Sequence, residues 1–292
     1  MAKAQLPGEA EHEIGDPQVI VTQAQITEAF QSCGVGPGDI LMLHASLSSM
    51  GTVCGGAEAV VDGLIAATSP AGTVAVPSLW WRPLSPPLKL EDWDVTTSPA
   101  FTGTIAEAVR KRPDACRSDH HSHAVAAIGH QAEALTRTHG QQGLRPGPFG
   151  EKAFATDSPW AKLLLWNAAY AFLGVDFTVN TMGHYIEYEY VDQVLHTLPP
   201  DTRPRFIARL RSWFMTEGVW SSFSFRSMGC KLEEAGLVAR RRIGTATLRV
   251  IRVAAMVEWV LHELRAHPEE WFTPKFLAWL RDAEGGWCDP QT

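Results

Sequence analysis

The spacing of apolar residues over positions 40–78 predicts a strand, a helix and a second strand in immediate succession. ILMLHASLSSMG begins as an apolar strand and runs into a loop of small polar residues. AEAVVDGLIAAT has one apolar helical face, and TVAVPS is typical of a second strand. This order indicates a parallel β-α-β unit. The loop 44–51 is therefore expected at the carboxyl end of a strand, where open α/β sheets bind ligands.

Helix boundaries are indicated by capping residues, proline and glycine. VTQAQITEAFQSCGV is predicted as the first helix, capped by Thr22 and ended by Gly-Pro-Gly. TGTIAEAVRKRPDA is predicted as a helix capped by Thr102 or Thr104. A short helix with Pro159 at its first position is expected to be capped by Asp157 or Ser158.

The remaining pattern completes an α/β fold. HAVAAIG is predicted as a strand and QAEALTRTH as a helix. The segment from about residue 197 begins with basic residues, and its later pattern predicts a helix, paired strands and further helices. We predict a central mixed, largely parallel sheet flanked by helices. Residues 1–17 are expected to form an N-terminal arm and residues 18–292 a single domain, with the part from about 197 completing the fold.

Residues 80–99, WWRPLSPPLKLEDWDVTTSP, show no regular period and contain several prolines. Structureless stretches of this length inside compact domains are usually functional, so we expect an excursion over the active-site side of the sheet. The alternative is a packing flap whose tryptophans only shield the core. The tail WFTPKFLAWL leaves a similar choice open, because it could complete the core or form the contact of a homodimer.

Composition narrows the class of protein. The 292 residues are 45% hydrophobic, which supplies the core of a globular protein. No apolar signal region or membrane-spanning stretch is present, so a cytoplasmic protein without membrane contact is expected. The five cysteines form no C-x-x-C pair, which argues against disulfides or a zinc cluster. A net charge of −7 disfavours nucleic acid and suits a cationic small substrate.

The segment FLGVDFTVNTMGHYIEYEY carries the first candidate for chemistry. An apolar strand ends at Gly174, a polar turn follows, and His184 and Glu187 then begin a helical pattern. Residues three apart share a helix face, so both side chains should point beyond the end of the strand. A carboxylate beside an imidazole prepares a general base near neutral pH. An ordinary surface His/Glu pair is the alternative.

A second candidate is the segment RSDHHSHAVAAIG, which places His120, His121 and His123 directly before a strand. Together with His184 they could form a metal site, although the same loop, with Arg117 and Ser118, could instead bind phosphate groups. The sequence has no P-loop, no G-x-G-x-x-G fingerprint and no G-x-S-x-G elbow. These absences weigh against kinases, Rossmann dehydrogenases and ordinary serine hydrolases.

Six motifs in order resemble the aminoglycoside 3-N-acetyltransferase family, antibiotic N-acetyltransferases that differ in fold from the general GNAT enzymes. The resemblance covers roughly residues 20–265. The motifs are LMLHASLSSMG, GTVAVPS, WDVTTSPAFTGTIAEAVRKRP, RSDHHSHAVAAIG, the PFG and DSPWAKL segments, and LGVDFTVNTMGHYIEYEY.

This resemblance implies a cytoplasmic acetyltransferase that moves an acetyl group from acetyl-CoA to an amine of an aminoglycoside, with the 3-amino group expected, and so confers antibiotic resistance. A ternary complex without a covalent enzyme intermediate is expected. His184 would be the general base and Glu187 its partner. The implied cofactor contacts are His44, Ser46, Leu47, Ser48, Gly51, Arg117, Ser118 and His123, and the implied acceptor contacts are Asp94, Asp176 and Glu187.

Departures from the family pattern keep alternatives open. Thr178 stands where members often have Asp, His121 where proline is usual and Ala124 where serine is usual. A pocket lacking one carboxylate should bind a polycation less tightly, so a different amine is one alternative. The others are a metal-dependent hydrolase using His120, His123 and His184, and a relative that binds its ligands without turnover.

Overall fold

The computed structural model describes residues 14–80, 89–210 and 219–285. Most of the predicted N-terminal arm, residues 81–88 of the predicted excursion and the end of the tail lie outside these ranges. Within them, no helix is both long and apolar enough to cross a membrane.

The fold is built on a seven-stranded mixed sheet of order β5-β6-β4-β2-β7-β9-β8, beside a two-stranded parallel pair of β1 and β3. The strands are β1 (Ile20–Val21), β2 (Ile40–Ala45), β3 (Thr52–Val53), β4 (Thr73–Pro77), β5 (Cys116–Arg117), β6 (Val125–Gly129), β7 (Ala169–Leu173), β8 (Ala239–Ile243) and β9 (Ala246–Arg252). Strands β4, β2 and β7 are mutually parallel, and the outer pairings are antiparallel. The predicted α/β class with a mixed sheet is confirmed, with parallel pairing confined to its centre.

Helices cover both faces of the sheet, and each face holds its own apolar cluster. The helices are α1 (Gln23–Ser32), α2 (Gly56–Thr68), α3 (Thr104–Lys111), α4 (Ala132–Thr136), α5 (Pro159–Leu165), α6 (Thr181–Thr197), α7 (Arg203–Arg209), α8 (Phe225–Glu234), α9 (Val253–Ala266), α10 (Pro268–Trp271) and α11 (Pro274–Glu284). In the tail, Phe276 and Trp279 are fully buried in the same cluster as α6, so these side chains complete the core.

Two of the three predicted helix starts are confirmed. Thr22 caps α1 in a capping box, and the Ser158 hydroxyl accepts from the Ala161 amide at the start of α5. The predicted cap of α3 is wrong, because its N-cap is Gly103. The Thr102 hydroxyl is instead bonded to the carbonyl of Pro77, which ties this loop to the end of β4.

The central parallel strands bring three chain segments to one edge of the sheet. The segments that follow β2, β4 and β7 all leave at this edge, since the carboxyl ends of parallel strands point the same way. Gly174, directly after β7, has φ +67°, and a Cβ there would lie 1.6 Å from the Ser49 hydroxyl. A glycine is therefore required where the β7 segment passes the loop after β2.

Candidate active site

His184 and Glu187 lie one turn apart on α6 and form a hydrogen bond. Nδ1 of His184 is 2.9 Å from Oε2 of Glu187, a residue that is 2% exposed. The same oxygen accepts from Nε1 of Trp220 at 3.1 Å. Because an ionised carboxylate only accepts, Nδ1 of His184 carries the proton. The other ring nitrogen, Nε2, is then the basic one.

The segment Trp220–Ser221 holds this pair from outside the helix and has no counterpart among the sequence-based candidates. The Ser221 hydroxyl donates to the Glu187 carbonyl at 3.0 Å. The Trp220 ring packs against Tyr188 with ring centroids 5.1 Å apart. Because Trp220 is 33 residues from Glu187 and follows no periodic pattern, only the tertiary fold reveals its role.

The imidazole of His184 lines a cavity of about 800 Å³, which we call the aromatic cavity. Its ring lies 4.7 Å from that of Phe149 and 4.8 Å from that of Phe225, centroid to centroid. The wall is mostly apolar and includes Leu79, Trp80, Leu90, Phe149, Val179, Trp220, Phe223 and Phe225. Trp80 and Leu90 bring the predicted 80–99 excursion into this wall.

A second cavity, of about 1120 Å³, lies at the carboxyl ends of β2 and β4, and we call it the strand-end cavity. The predicted cofactor residues at the end of β2 and in the loop after it all lie in its wall: His44, Ser46, Leu47, Ser48 and Gly51. It shares Leu79, Val179 and Thr181 with the aromatic cavity. The two cavities thus adjoin, and a molecule in the strand-end cavity can meet one held beside His184.

The strand-end cavity offers hydroxyl and amide donors to an anionic ligand. Its described wall contains no Lys, Arg, Asp or Glu. Gly56 and Thr104, the first residues of α2 and α3, both lie in it. The amides of a helix's first turn have no partner within the helix and attract phosphate groups. This donor set fits the phosphates of CoA, and the apolar remainder of the wall fits the pantetheine chain.

His44 is fixed inside the wall rather than free to ionise. It is 7% exposed, and its Nε2 lies 2.7 Å from the hydroxyl of Tyr170, which also accepts from the Met182 amide at 3.2 Å. Burial lowers the pKa of His44 to about 3. His44 is therefore a neutral residue that links β2 through Tyr170 to the first turn of α6.

Arg117 and Ser118, predicted to contact the cofactor, do not lie in the described wall of either cavity. The Arg117 guanidinium donates to the carbonyls of Ser78 and Ser98 and lies 4.5 Å above the Trp93 ring. Burial lowers its pKa to about 10. Because both terminal nitrogens of its guanidinium donate to backbone carbonyls, this arginine holds the two ends of the connection between β4 and α3 together.

Ser118 and His123 are both buried, but only His123 reaches a cavity. The Ser118 hydroxyl accepts from the Val125 amide and contacts Nδ1 of His139, each at 2.9 Å. The His123 ring lies in the wall of the aromatic cavity, 6.3 Å from the ring of His184. The structure therefore places His123 in the wall of the aromatic cavity beside His184 and outside the described wall of the strand-end cavity.

The carboxylates predicted to contact the acceptor, other than Glu187, are engaged elsewhere. Oδ1 of Asp94 accepts from the amides and hydroxyls of Thr96 and Thr97, which lower its pKa. Asp176 caps the turn at 177–179 and pairs with Arg226. Burial opposes ionisation of Asp176, but bonds from Thr178 outweigh it and lower the pKa. Neither carboxylate belongs to the described wall of the aromatic cavity.

The histidine cluster is packed as a structural unit. His120 stacks on His139 at 4.6 Å between centroids, and its Nδ1 accepts from the His123 amide at 3.1 Å. Among the described residues, no group of three or more His, Cys, Asp or Glu side chains could hold a metal ion. Within the described ranges, the metal-dependent alternative therefore has no ligand set.

Buried histidines should make the fold sensitive to acid. Burial lowers the pKa of His44 to about 3, His120 to about 2 and His139 to about 4, and it lowers that of His123 well below the ordinary value. Between about pH 6.5 and 4 the unfolded chain binds protons that the folded chain excludes. The free energy of unfolding should then fall with pH, by about 1.4 kcal/mol per unit for each such histidine.

Urea denaturation at stepped pH values measures this slope. A His139→Asn variant should reduce the pH slope of the free energy of unfolding by about 1.4 kcal/mol per pH unit. The same change at the exposed His196 should leave the slope unaltered. Equal slopes for all three proteins would contradict the account.

Comparison with known proteins agrees with this architecture. A sequence model of the family described as aminoglycoside 3-N-acetyltransferase matches residues 42–265. Aminoglycoside N(3)-acetyltransferase III from Salmonella sp is 42% identical over 180 residues, and aminoglycoside N(3)-acetyltransferase VII from Streptomyces paromomycinus is 31% identical over 184. Each alignment covers 57% of this chain and 60% of the relative, so the chain matches less than two thirds of their length.

A longer alignment joins the chain to the SPbeta prophage-derived aminoglycoside N(3')-acetyltransferase-like protein YokD of Bacillus subtilis (strain 168). It is 27% identical over 273 residues, covering 86% of this chain and 92% of that protein.

Solved structures share the fold. Aminoglycoside acetyltransferase AAC(3)-IIb superposes with a TM-score of 0.66 at 24% identity, covering 88% of this chain and 100% of that one. AAC-IIIb in its binary complex with CoASH gives 0.64 at 19% identity, covering 87% and 99%. Because the family's sequence model matches this chain from within β2 through α6 and most of α9, the chain belongs to the aminoglycoside 3-N-acetyltransferase family.

Proposed function

We propose that this chain transfers the acetyl group of acetyl-CoA to an amine of an aminoglycoside, expected to be the 3-amino group, and thereby confers resistance. The observation that carries the proposal is the position of His184. Its imidazole, oriented by Glu187, lines the aromatic cavity next to the place where that cavity adjoins the strand-end cavity. Family membership supports both the reaction and the substrate class.

Acetyl-CoA would lie in the strand-end cavity, held by the loop 46–51 and the first turns of α2 and α3. Bound there, it supplies a thioester carbonyl to the neighbouring cavity. An ammonium cannot attack this carbonyl until it loses a proton, and Nε2 of His184 is placed to remove one. The buried Glu187 keeps the proton on Nδ1 and stabilises the imidazolium that forms.

Direct transfer within a ternary complex is the mechanism we favour, because the adjoining cavities allow donor and acceptor to meet without an acyl-enzyme intermediate.

A cytoplasmic location and a homodimer stay predictions. The side chains of Phe276 and Trp279 are already buried within this chain, so their burial needs no partner subunit.

Thiol release from acetyl-CoA over a panel of aminoglycosides tests the function. Free CoA is expected with compounds that carry a 3-amino group, and mass spectrometry should find one added acetyl group per molecule. The matched negative controls are analogues lacking that amine. Release that does not depend on any amine would contradict the proposal, and CoA binding without product would favour a relative that binds without turnover.

A further inference from the structure

One partly buried guanidinium, that of Arg117, joins the two ends of the 80–99 excursion. Its Nη2 donates to the carbonyl of Ser78 at 2.6 Å, just before the excursion. Its Nη1 donates to the carbonyl of Ser98 near the other end, and also to that of Val95 at 3.3 Å. Ser78 and Ser98 are both buried. Because a guanidinium presents its donors in one rigid plane, it holds these carbonyls in a fixed relative position.

The same guanidinium contacts the aromatic cavity only through two tryptophan rings. It lies 4.5 Å above the centroid of Trp93, a cation–π distance, and the Trp93 ring is 5.8 Å from that of Trp80. Nε1 of Trp93 donates to Oδ1 of Asp119 at 2.8 Å, which fixes the orientation of this ring. Trp80 lines the aromatic cavity together with His184, whereas Arg117 and Trp93 lie outside both described walls.

A different pair of bonds fixes the strand-end side of the same connection between β4 and α3. The Phe101 amide donates to the Leu79 carbonyl at 2.8 Å, and the Thr102 hydroxyl is bonded to the Pro77 carbonyl. These four residues all lie in the wall of the strand-end cavity. Neither bond involves Arg117, so this wall stays tied when the arginine is removed.

We infer, on the basis of the proposed acetyl transfer, that Arg117 and Trp93 are positioning residues for the acceptor. They hold Trp80 in the arrangement of the aromatic cavity that binds the aminoglycoside, and they touch neither substrate. The apparent affinity for a ligand falls with the fraction of molecules whose site is in the binding arrangement. Arg117 therefore affects the binding of the acceptor, whereas the family resemblance implied a contact with acetyl-CoA.

The test measures kcat and the KM of each substrate for the wild type and two variants, with the aminoglycoside of the panel that gives the highest kcat/KM. Arg117→Met removes the bonds at both ends of the excursion. It should raise KM for the aminoglycoside by about tenfold or more and change KM for acetyl-CoA by less than about twofold. Because a saturating acceptor restores the binding arrangement, kcat should stay within about threefold of the wild type.

Trp93→Leu leaves the bonds of Arg117 in place and removes the ring between its guanidinium and Trp80. It should raise the same KM, by a smaller factor than Arg117→Met. CoA titration shows whether each variant is folded, and Trp93→Leu carries the test if Arg117→Met does not fold.

Two control variants separate this role from a general loss of structure. Thr102→Val removes the bond to the Pro77 carbonyl, and it should raise KM for acetyl-CoA more than KM for the aminoglycoside. Arg240→Met replaces an exposed arginine of β8 that pairs with Glu233 and lies outside both described walls. It should leave both KM values at those of the wild type.

The outcomes distinguish this role from the proposed function. If Arg117→Met raises KM for acetyl-CoA as much as KM for the aminoglycoside, or if neither Arg117→Met nor Trp93→Leu raises the latter, the inference is overturned and acetyl transfer stands. If the wild type turns over no aminoglycoside, the proposed function is overturned, and titration of an aminoglycoside into the CoA-bound protein decides the inference. Weaker binding to both variants then supports it, and equal binding, or no binding to the wild type, overturns it.

Discussion

Replacing His184 by glutamine is expected to lower kcat by about 10²- to 10⁴-fold, the usual contribution of a general base. Glutamine keeps a polar side chain of similar size but cannot take up a proton. CoA affinity should be unchanged, since His184 lies in the described wall of the aromatic cavity and not in that of the strand-end cavity. Steady-state thiol release and CoA titration measure the two quantities.

His196→Gln is the matched control, because this exposed histidine lies on the same helix. Its activity should equal that of the wild type. A loss of less than tenfold in His184→Gln would contradict the base assignment.

Substitution of Glu187 should give the second large effect. Glu187→Gln removes the charge that fixes the tautomer of His184 and stabilises its protonated form. Losing a hydrogen bond to a charged partner is worth about 1.5–3 kcal/mol, so kcat should fall by about 10- to 100-fold. Trp220→Phe keeps the ring against Tyr188 but removes the Nε1 donor, and it should cost a smaller factor.

Trp279→Phe is the control for the indole change. Trp279 is fully buried and donates to the Phe206 carbonyl at 3.2 Å, away from both cavities. Its replacement should lower the free energy of unfolding while kcat stays at the wild-type value. If Trp279→Phe and Trp220→Phe reduced kcat equally, the specific role of Trp220 would be contradicted.

Local sequence signals predicted much of the fold. The cap at Thr22, the serine cap with Pro159 and the β-α-β order from residue 40 to 77 are confirmed because each depends on neighbours in the chain. The predicted cap of α3 at Thr102 or Thr104 is wrong because this turn depends on a residue far away in the chain. A long-range bond from Thr102 to the Pro77 carbonyl sets that turn, and no local pattern encodes it.

In the candidate site, too, features set by local spacing could be predicted and features set by distant segments could not. The spacing of His184 and Glu187 predicted a shared helix face, and the structure places them in hydrogen-bond contact. The family resemblance implied a cofactor contact for Arg117, whereas in the fold its guanidinium is partly buried and donates to backbone carbonyls. Trp220 and Arg226 reach the aromatic cavity from a distant segment, so residue type alone could not identify them.

The stoichiometry of one reaction tests the central claim most directly: CoA thiol released per acetamide formed, with limiting acetyl-CoA, in the presence and absence of a 3-amino aminoglycoside. The account predicts one thiol for each acetamide and no release above the uncatalysed rate without the amine. Thiol release that continues without an amine, with acetate as the product, would show a hydrolase and contradict the assignment of His184 as the base that activates an amine.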